Sequence, residues 1–196
     1  FTHCRDVVVE VTNAGGIGVL GSIKLSPQEL DMELSWIDER VGGKPYGVDL
    51  IVPGAMAGRS DSPDADAVLG QLPEAHKAFA EGILASREID GSVIDDETRK
   101  ESLYFSHNAR LSGADRLLGV VFRHPVALVA NALGVPPAQM VRRGKEHGVL
   151  VAALVGTAEQ AVRQAQAGVD LVIAAGGEAG GHCGEIGTMV LVPEVF

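Results

Sequence analysis

The chain has 196 residues, 46% hydrophobic and 21% charged, with 26 acidic against 16 basic side chains and a formal net charge of −10. Such a length allows one sizeable core, and the acidic balance without a Lys/Arg cluster argues against a nucleic-acid partner. No apolar run is long enough to span a bilayer, and the only two cysteines, Cys4 and Cys183, match no metal-ligand spacing, which fits a reduced, cytoplasmic setting.

In chain order, Thr2 to Asn13 carries Val7, Val8 and Val11 at helical spacing and stops at Gly15-Gly16. Ile17 to Gly21 reads as a short buried strand. Ser26-Pro27-Gln28-Glu29 then offers an N-cap, a proline at the first helical position and a capping-box Glu. Leu30, Leu34, Ile37 and Val41 form that helix's inward stripe. Tyr46 to Val52 is the next strand, closed by Pro53. Pro125 to Asn131 is another, followed by a helix from Pro136 to about His147 that ends at Gly148. Val149 to Val155 is a strand, and Thr157 to Gln160 caps the helix carrying Ala161, Val162, Ala165 and Val169. Asp170 to Ala175 is the last strand. Five strands, most separated by one helix, predict an α/β protein with a parallel sheet or barrel.

Residues 54 to 117 interrupt this alternation. The stretch opens on an acidic loop, Gly58 to Asp66, continues through helical material around Leu69 to Arg87, and includes a polar tract, Asp90 to Lys100. An insertion of this length suits a lid or a homodimer contact, or a solvated surface excursion.

The segment Ala174-Ala175-Gly176-Gly177-Glu178-Ala179-Gly180-Gly181-His182-Cys183-Gly184-Glu185 carries the chemistry. A glycine-dense loop after a buried strand lets backbone N–H groups approach a ligand closely. One imidazole sits at its end, where a strand tip presents reactive groups. His3, His76, His107, His124 and His147 have no such context and read as surface or structural side chains, and Cys183 reads as a bystander thiol.

Asn13 to Gly21, Pro45 to Leu50 and Gly177 to Gly187, in this order and spacing, resemble the nitronate monooxygenase family. The Glu178-Ala179-Gly180-Gly181-His182 loop is shared with the related flavin-dependent enoyl-ACP reductases. The resemblance implies a (β/α)8 TIM barrel, here incomplete, with the five strands matching barrel strands two to six and the insertion after the second. Residues 1–196 would then form part of a flavin-binding domain, with strand one before Phe1 and strands seven and eight after Phe196, so the 196 residues are expected to belong to a longer chain.

The resemblance further implies FMN as cofactor and oxidation of alkyl nitronates or nitroalkanes with O2 to carbonyl compounds and nitrite. His182 would be the catalytic group. Gly180 and Gly181 would offer backbone donors to FMN, and Asp49, Ala175 and Asn131 would stand at its edge. Asp49 occupies a place where the family usually has Asn, and Ala175 one where a Gln often meets the flavin ring. Asn131 is read both as a site residue and as a structural amide. No metal is expected. Two other readings are a flavin-dependent enoyl reductase and an inactive, truncated barrel.

Overall fold

The computed structural model describes residues 2–52, 72–90, 108 and 111–196. Five strands, β1 (Val19–Gly21), β2 (Gly47–Leu50), β3 (Leu128–Asn131), β4 (Leu150–Val155) and β5 (Leu171–Ala174), form one parallel sheet in the order β1-β2-β3-β4-β5. Around them run α1 (Arg5–Asn13), α2 (Pro27–Val41), α4 (Leu111–Val121), α5 (Ala138–His147), α6 (Ala158–Gln166) and α7 (Thr188–Val195), with α3 (Glu74–Ser86) between β2 and α4 in sequence. Each strand pairs with its sequence neighbours, the winding of a β/α barrel, and the five strands form an open sheet rather than a closed one.

The chain divides into two compact units, residues 1–55 with 104–196, and residues 56–103. Within the second, α3 follows Pro73, carries a Lys77–Glu74 ion pair of 2.7 Å, and ends where Glu88 takes a φ of 55°. The acidic loop Gly58–Asp66, the tract 91–100, His107 and most of the 54–117 segment lie outside the described residues. Helix α4 belongs to the first unit, where Leu117, Leu118, Val120 and Val121 are buried.

The local signals explain most boundaries. Ser26 Oγ accepts the Glu29 N–H (3.1 Å) and Glu29 Oε2 accepts the Ser26 N–H (2.7 Å), closing a capping box in front of α2. These bonds to Ser26 also hold the Glu29 carboxyl below its usual range. The predicted stripe Leu30, Leu34, Ile37 and Val41 is buried throughout.

Helix α1 differs from its expected start. Thr2 bridges Leu20, donating its N–H to Val19 O (3.2 Å) and accepting the Gly21 N–H (2.7 Å), so the backbone stays extended until Cys4. The helix also turns Val8, Val9 and Thr12 inward, leaving Val7 and Val11 exposed. In α6 the buried residues are Ala161 and Gln164, while Val162 is exposed. Helix α7 carried no sequence signal; its apolar run Met189 to Val192 reads equally as strand, and Pro193 lies inside it.

Alternation along the strands separates two faces. Leu20, Val48, Leu50, Val129 and Val151 face the helices and share one core with α1, α2, α4 and α5. On the opposite face Leu128, Ala130 and Ala152 pack with Val19 and Ile173. Gly21, Asp49, Ala130, Ala152 and Leu171 are register partners across this face, in a row that runs from the carboxyl end of β1 to the amino end of β5.

At the amino ends of the strands a polar network ties α2 to the sheet. Buried Tyr46 donates its hydroxyl to Asp38 Oδ1 (2.6 Å), and His124 is held between Asp38 (2.7 Å) and Asp31 (3.2 Å). Arg123 donates to Asp31 (2.7 Å), and this bond, more than the one from His124, keeps the half-buried Asp31 carboxyl below its usual range. No described helix is long and apolar enough to cross a membrane.

Candidate functional site

The site forms at the carboxyl ends of β3, β4 and β5. Beyond β5 the ladder persists for one residue, with Ala175 N–H donating to Val155 O (2.9 Å). A single 3-10 turn follows (Gly177–Ala179), then Gly180 and Gly181 at φ 75° and 68°. Left-handed dihedrals of this kind favour glycine, and the two residues reverse the chain just before His182.

Three contacts fix the loop. Both oxygens of Glu178 accept the Thr188 N–H (2.9 and 3.0 Å) at the start of α7. A bond from its own backbone N–H first, and then those from Thr188, draw the exposed Glu178 carboxyl below its usual range. Gly177 N–H donates to Ile186 O (2.9 Å). Gly184 lies flat against the tip of β4, where a Cβ would stand 2.6 Å from Gly156 O. Gly156 in turn donates its N–H to Gln160 Oε1 (2.7 Å).

His182 is exposed, and its ring hydrogen-bonds to no described residue. It lines a cavity of about 690 Å³ together with Ala175, Cys183, the 132–135 segment after β3 and the 154–156 tip of β4. Helix α6 closes one side with Gln160, Arg163 and Gln164. Gln164 is a residue that sequence reasoning missed. Its Nε2 donates to Gly134 O (3.1 Å), while its buried Oε1 has no partner. A polar residue at a buried helix position gives no signal until the helix is docked.

Cys183 Sγ lies 3.4 Å from Gly177 O and 3.8 Å from Gly181 O, so the thiol turns back on its own loop. Ala175 is half-buried at the cavity wall and offers no polar group.

Asn131 and Asp49 sit on opposite faces of the sheet. Asn131 is fully buried; its Oδ1 accepts the Val52 N–H (2.8 Å), and its Nδ2 lies within 3.2 Å of the carbonyls of Val52, Leu133 and Gly134. Its amide is spent on the backbone that shapes the loop after β3. Asp49 faces away from the helices and is 8% exposed, and its buried Oδ1 has no partner among the described residues. Burial pushes its carboxyl up to about 7.

The tier around Asp49 is small: Gly21 on β1, Ala130 on β3 and Ala152 on β4. A planar ring system laid over Gly21, Asp49 and Ala130 would meet no bulky side chain at these three positions and would find a carboxyl oxygen unpaired among the described residues. The cavity that His182 lines forms at the carboxyl ends of β3, β4 and β5, and Asp49 stands one residue before the carboxyl end of β2. These residues therefore fit a flavin. Among the described residues no group of acidic, His or Cys side chains could hold a metal ion.

Comparison with known proteins gives a consistent result. The family model for nitronate monooxygenase matches residues 4–196. The chain is 48% identical over 196 residues to the "Putative monooxygenase Rv1533" of Mycobacterium tuberculosis, covering 100% of this chain and 52% of that protein. It is 28% identical over 201 residues to a "Probable nitronate monooxygenase" of Staphylococcus saprophyticus, covering 97% and 50%. Among solved structures, a nitroalkane oxidase from Streptomyces ansochromogenes superposes with a TM-score of 0.71 at 26% identity, over 97% of this chain and 51% of that one. FabK from Thermotoga maritima superposes with a TM-score of 0.63 at 25% identity, over 100% and 44%. The chain thus spans about half the length of the relatives it matches.

Proposed function

The chain belongs to the nitronate monooxygenase family, and from that premise we propose that it carries the His182 side of a flavoenzyme that oxidises alkyl nitronates with O2 to carbonyl compounds and nitrite. FMN is the cofactor of this family. When bound, it supplies the electron-accepting chemistry that protein side chains lack.

The observation that carries the reading is His182 itself: an imidazole in the loop after β5, without a partner among the described residues, on the wall of a cavity of about 690 Å³. For a neutral nitroalkane, a ring nitrogen of His182 takes the proton from the α-carbon, which leaves the nitronate. A substrate that arrives as the nitronate needs no such base, and His182 then orients the anionic oxygens. Gly180 and Gly181 set the turn that aims the imidazole and bring backbone close to the cofactor. Asp49 and Ala175 contribute the ring-facing tier and wall. Asn131 acts one step removed, holding the loop after β3 that forms the opposite wall.

Oxygen uptake by the full-length protein with a nitronate, with the matching nitroalkane, and with NADH plus an enoyl thioester tests this reading. Nitronate-dependent uptake is expected. Rapid NADH oxidation with the enoyl thioester and none with nitronate favours a reductase with the same loop, and a protein that binds no flavin overturns both.

A further inference from the structure

We propose that Asp49 serves this site as a hydrogen-bond donor, presenting a protonated carboxyl group to an acceptor atom of the ligand held over the carboxyl ends of β1, β2 and β3. The inference rests on the flavin reading above for the ligand's identity, but not for the state of the carboxyl group.

The argument begins with where β2 puts this side chain. Val48 and Leu50 face the helices and share their core, so Asp49 between them faces the other way. Its register partners are Gly21 and Ala130, neither of which has a polar side chain. The side chain is more than nine-tenths buried, and Oδ1 has no hydrogen-bond partner among the described residues. A buried carboxylate without partners is costly, and the group avoids that cost by keeping its proton. The protonated form is a donor, which the carboxylate is not.

Among the described residues, no charged side chain supplies an alternative. From β1, the His3 ring stands over Gly21, where a Cβ would be 3.1 Å from its Cε1. Its Nδ1 lies 2.8 Å from Gly21 O; a carbonyl only accepts, so that nitrogen donates. His3 forms no ion pair with Asp49. In the loop after β1, Ser22 binds the backbone carbonyl of Asp49 through N–H (3.1 Å) and hydroxyl (2.8 Å), not its carboxyl, and Lys24 is exposed. The described residues of β3, β4 and β5 that share this face, Leu128, Ala130, Leu150, Ala152, Leu154, Leu171 and Ile173, are all apolar. His182 stands beyond them in the loop after β5.

Two measurements on the full-length protein test the proposal. Infrared spectra recorded from about pH 5.5 to 8.5 should show a carboxylic-acid C=O band that shifts in D2O, fades as pH rises, and is missing from Asp49→Asn and Asp49→Ser. FMN titrations over the same range should weaken by up to about tenfold per pH unit above the transition in the wild type and stay flat in Asp49→Asn. A band that both substitutions abolish, with that loss of pH dependence, supports the proposal. No such band, or equal pH dependence of FMN binding in wild type and variant, overturns it. Because the wild-type infrared titration needs no variant, a misfolded substitution does not remove the test. If FMN binds at no pH while the band titrates as expected, the flavin reading fails and the neutral carboxyl is upheld.

Discussion

At the scale of single residues, the proposed site sets an exposed imidazole, His182, against a buried carboxyl group, Asp49. Replacing His182 by Asn removes the base but keeps a polar side chain of similar reach. Turnover of a neutral nitroalkane should fall about 10²- to 10⁴-fold, while flavin content and turnover of the preformed nitronate change far less. Steady-state oxygen uptake with both substrates checks this; equal losses on the two would remove the assigned role. Asp49 also leaves a mark on stability. Its folded value of about 7 lies above the ordinary carboxyl value of 3.8. The native state therefore holds a proton that the unfolded chain has released, and the stability this gives is present below the unfolded value and is lost as pH rises through about 7. Asp49→Asn removes that dependence. Its advantage in chemical denaturation over the wild type should grow from pH 4 to pH 8, reaching the order of 1 kcal/mol or more.

At the scale of elements, the loop after β5 is held by its fit to β4 as much as by its own hydrogen bonds. Gly184→Ala places a methyl group 2.6 Å from Gly156 O, so either the loop or the tip of β4 must move. A loss of about 1–3 kcal/mol is expected in thermal unfolding, together with lower nitroalkane turnover, because the same loop aims His182. The capping box of α2 is a purely structural counterpart. Ser26→Ala should cost about 1 kcal/mol, read from the denaturation midpoint, with flavin binding unchanged.

At the scale of the whole molecule, the two ends of the sheet have separate duties. The carboxyl ends carry the cavity, Asp49 and the glycine loop, whereas the amino ends carry the Tyr46–Asp38–His124–Asp31 network. Burial first, and then the Asp38 carboxylate, push the Tyr46 phenol well above its ordinary value, so it stays a donor at any physiological pH. Tyr46→Phe should lower stability by about 1 kcal/mol and leave kcat and FMN affinity as they were. A change in either constant with an unchanged melting temperature would contradict this separation.

Much of this was legible in the sequence. Apolar strands of four to six residues, helix caps and the Gly-Gly-His turn are local signals, set by backbone conformation and by which side chains must leave water. They placed the five strands, the α2 stripe and His182 at a strand tip. What only the tertiary structure decided concerns partners distant in the chain. The face of β2 that Asp49 occupies, and the lack of a described group to pair with its Oδ1, follow from the register of three strands. Asn131 was open between two roles until Val52, Leu133 and Gly134 were seen to take up its amide. Gln164 and the start of α1 depended likewise on what docks against them. Sequence determines what a residue can do through its local conformation and chemistry; burial and pairing are properties of the assembled neighbourhood, and they decide which of those capacities is left free.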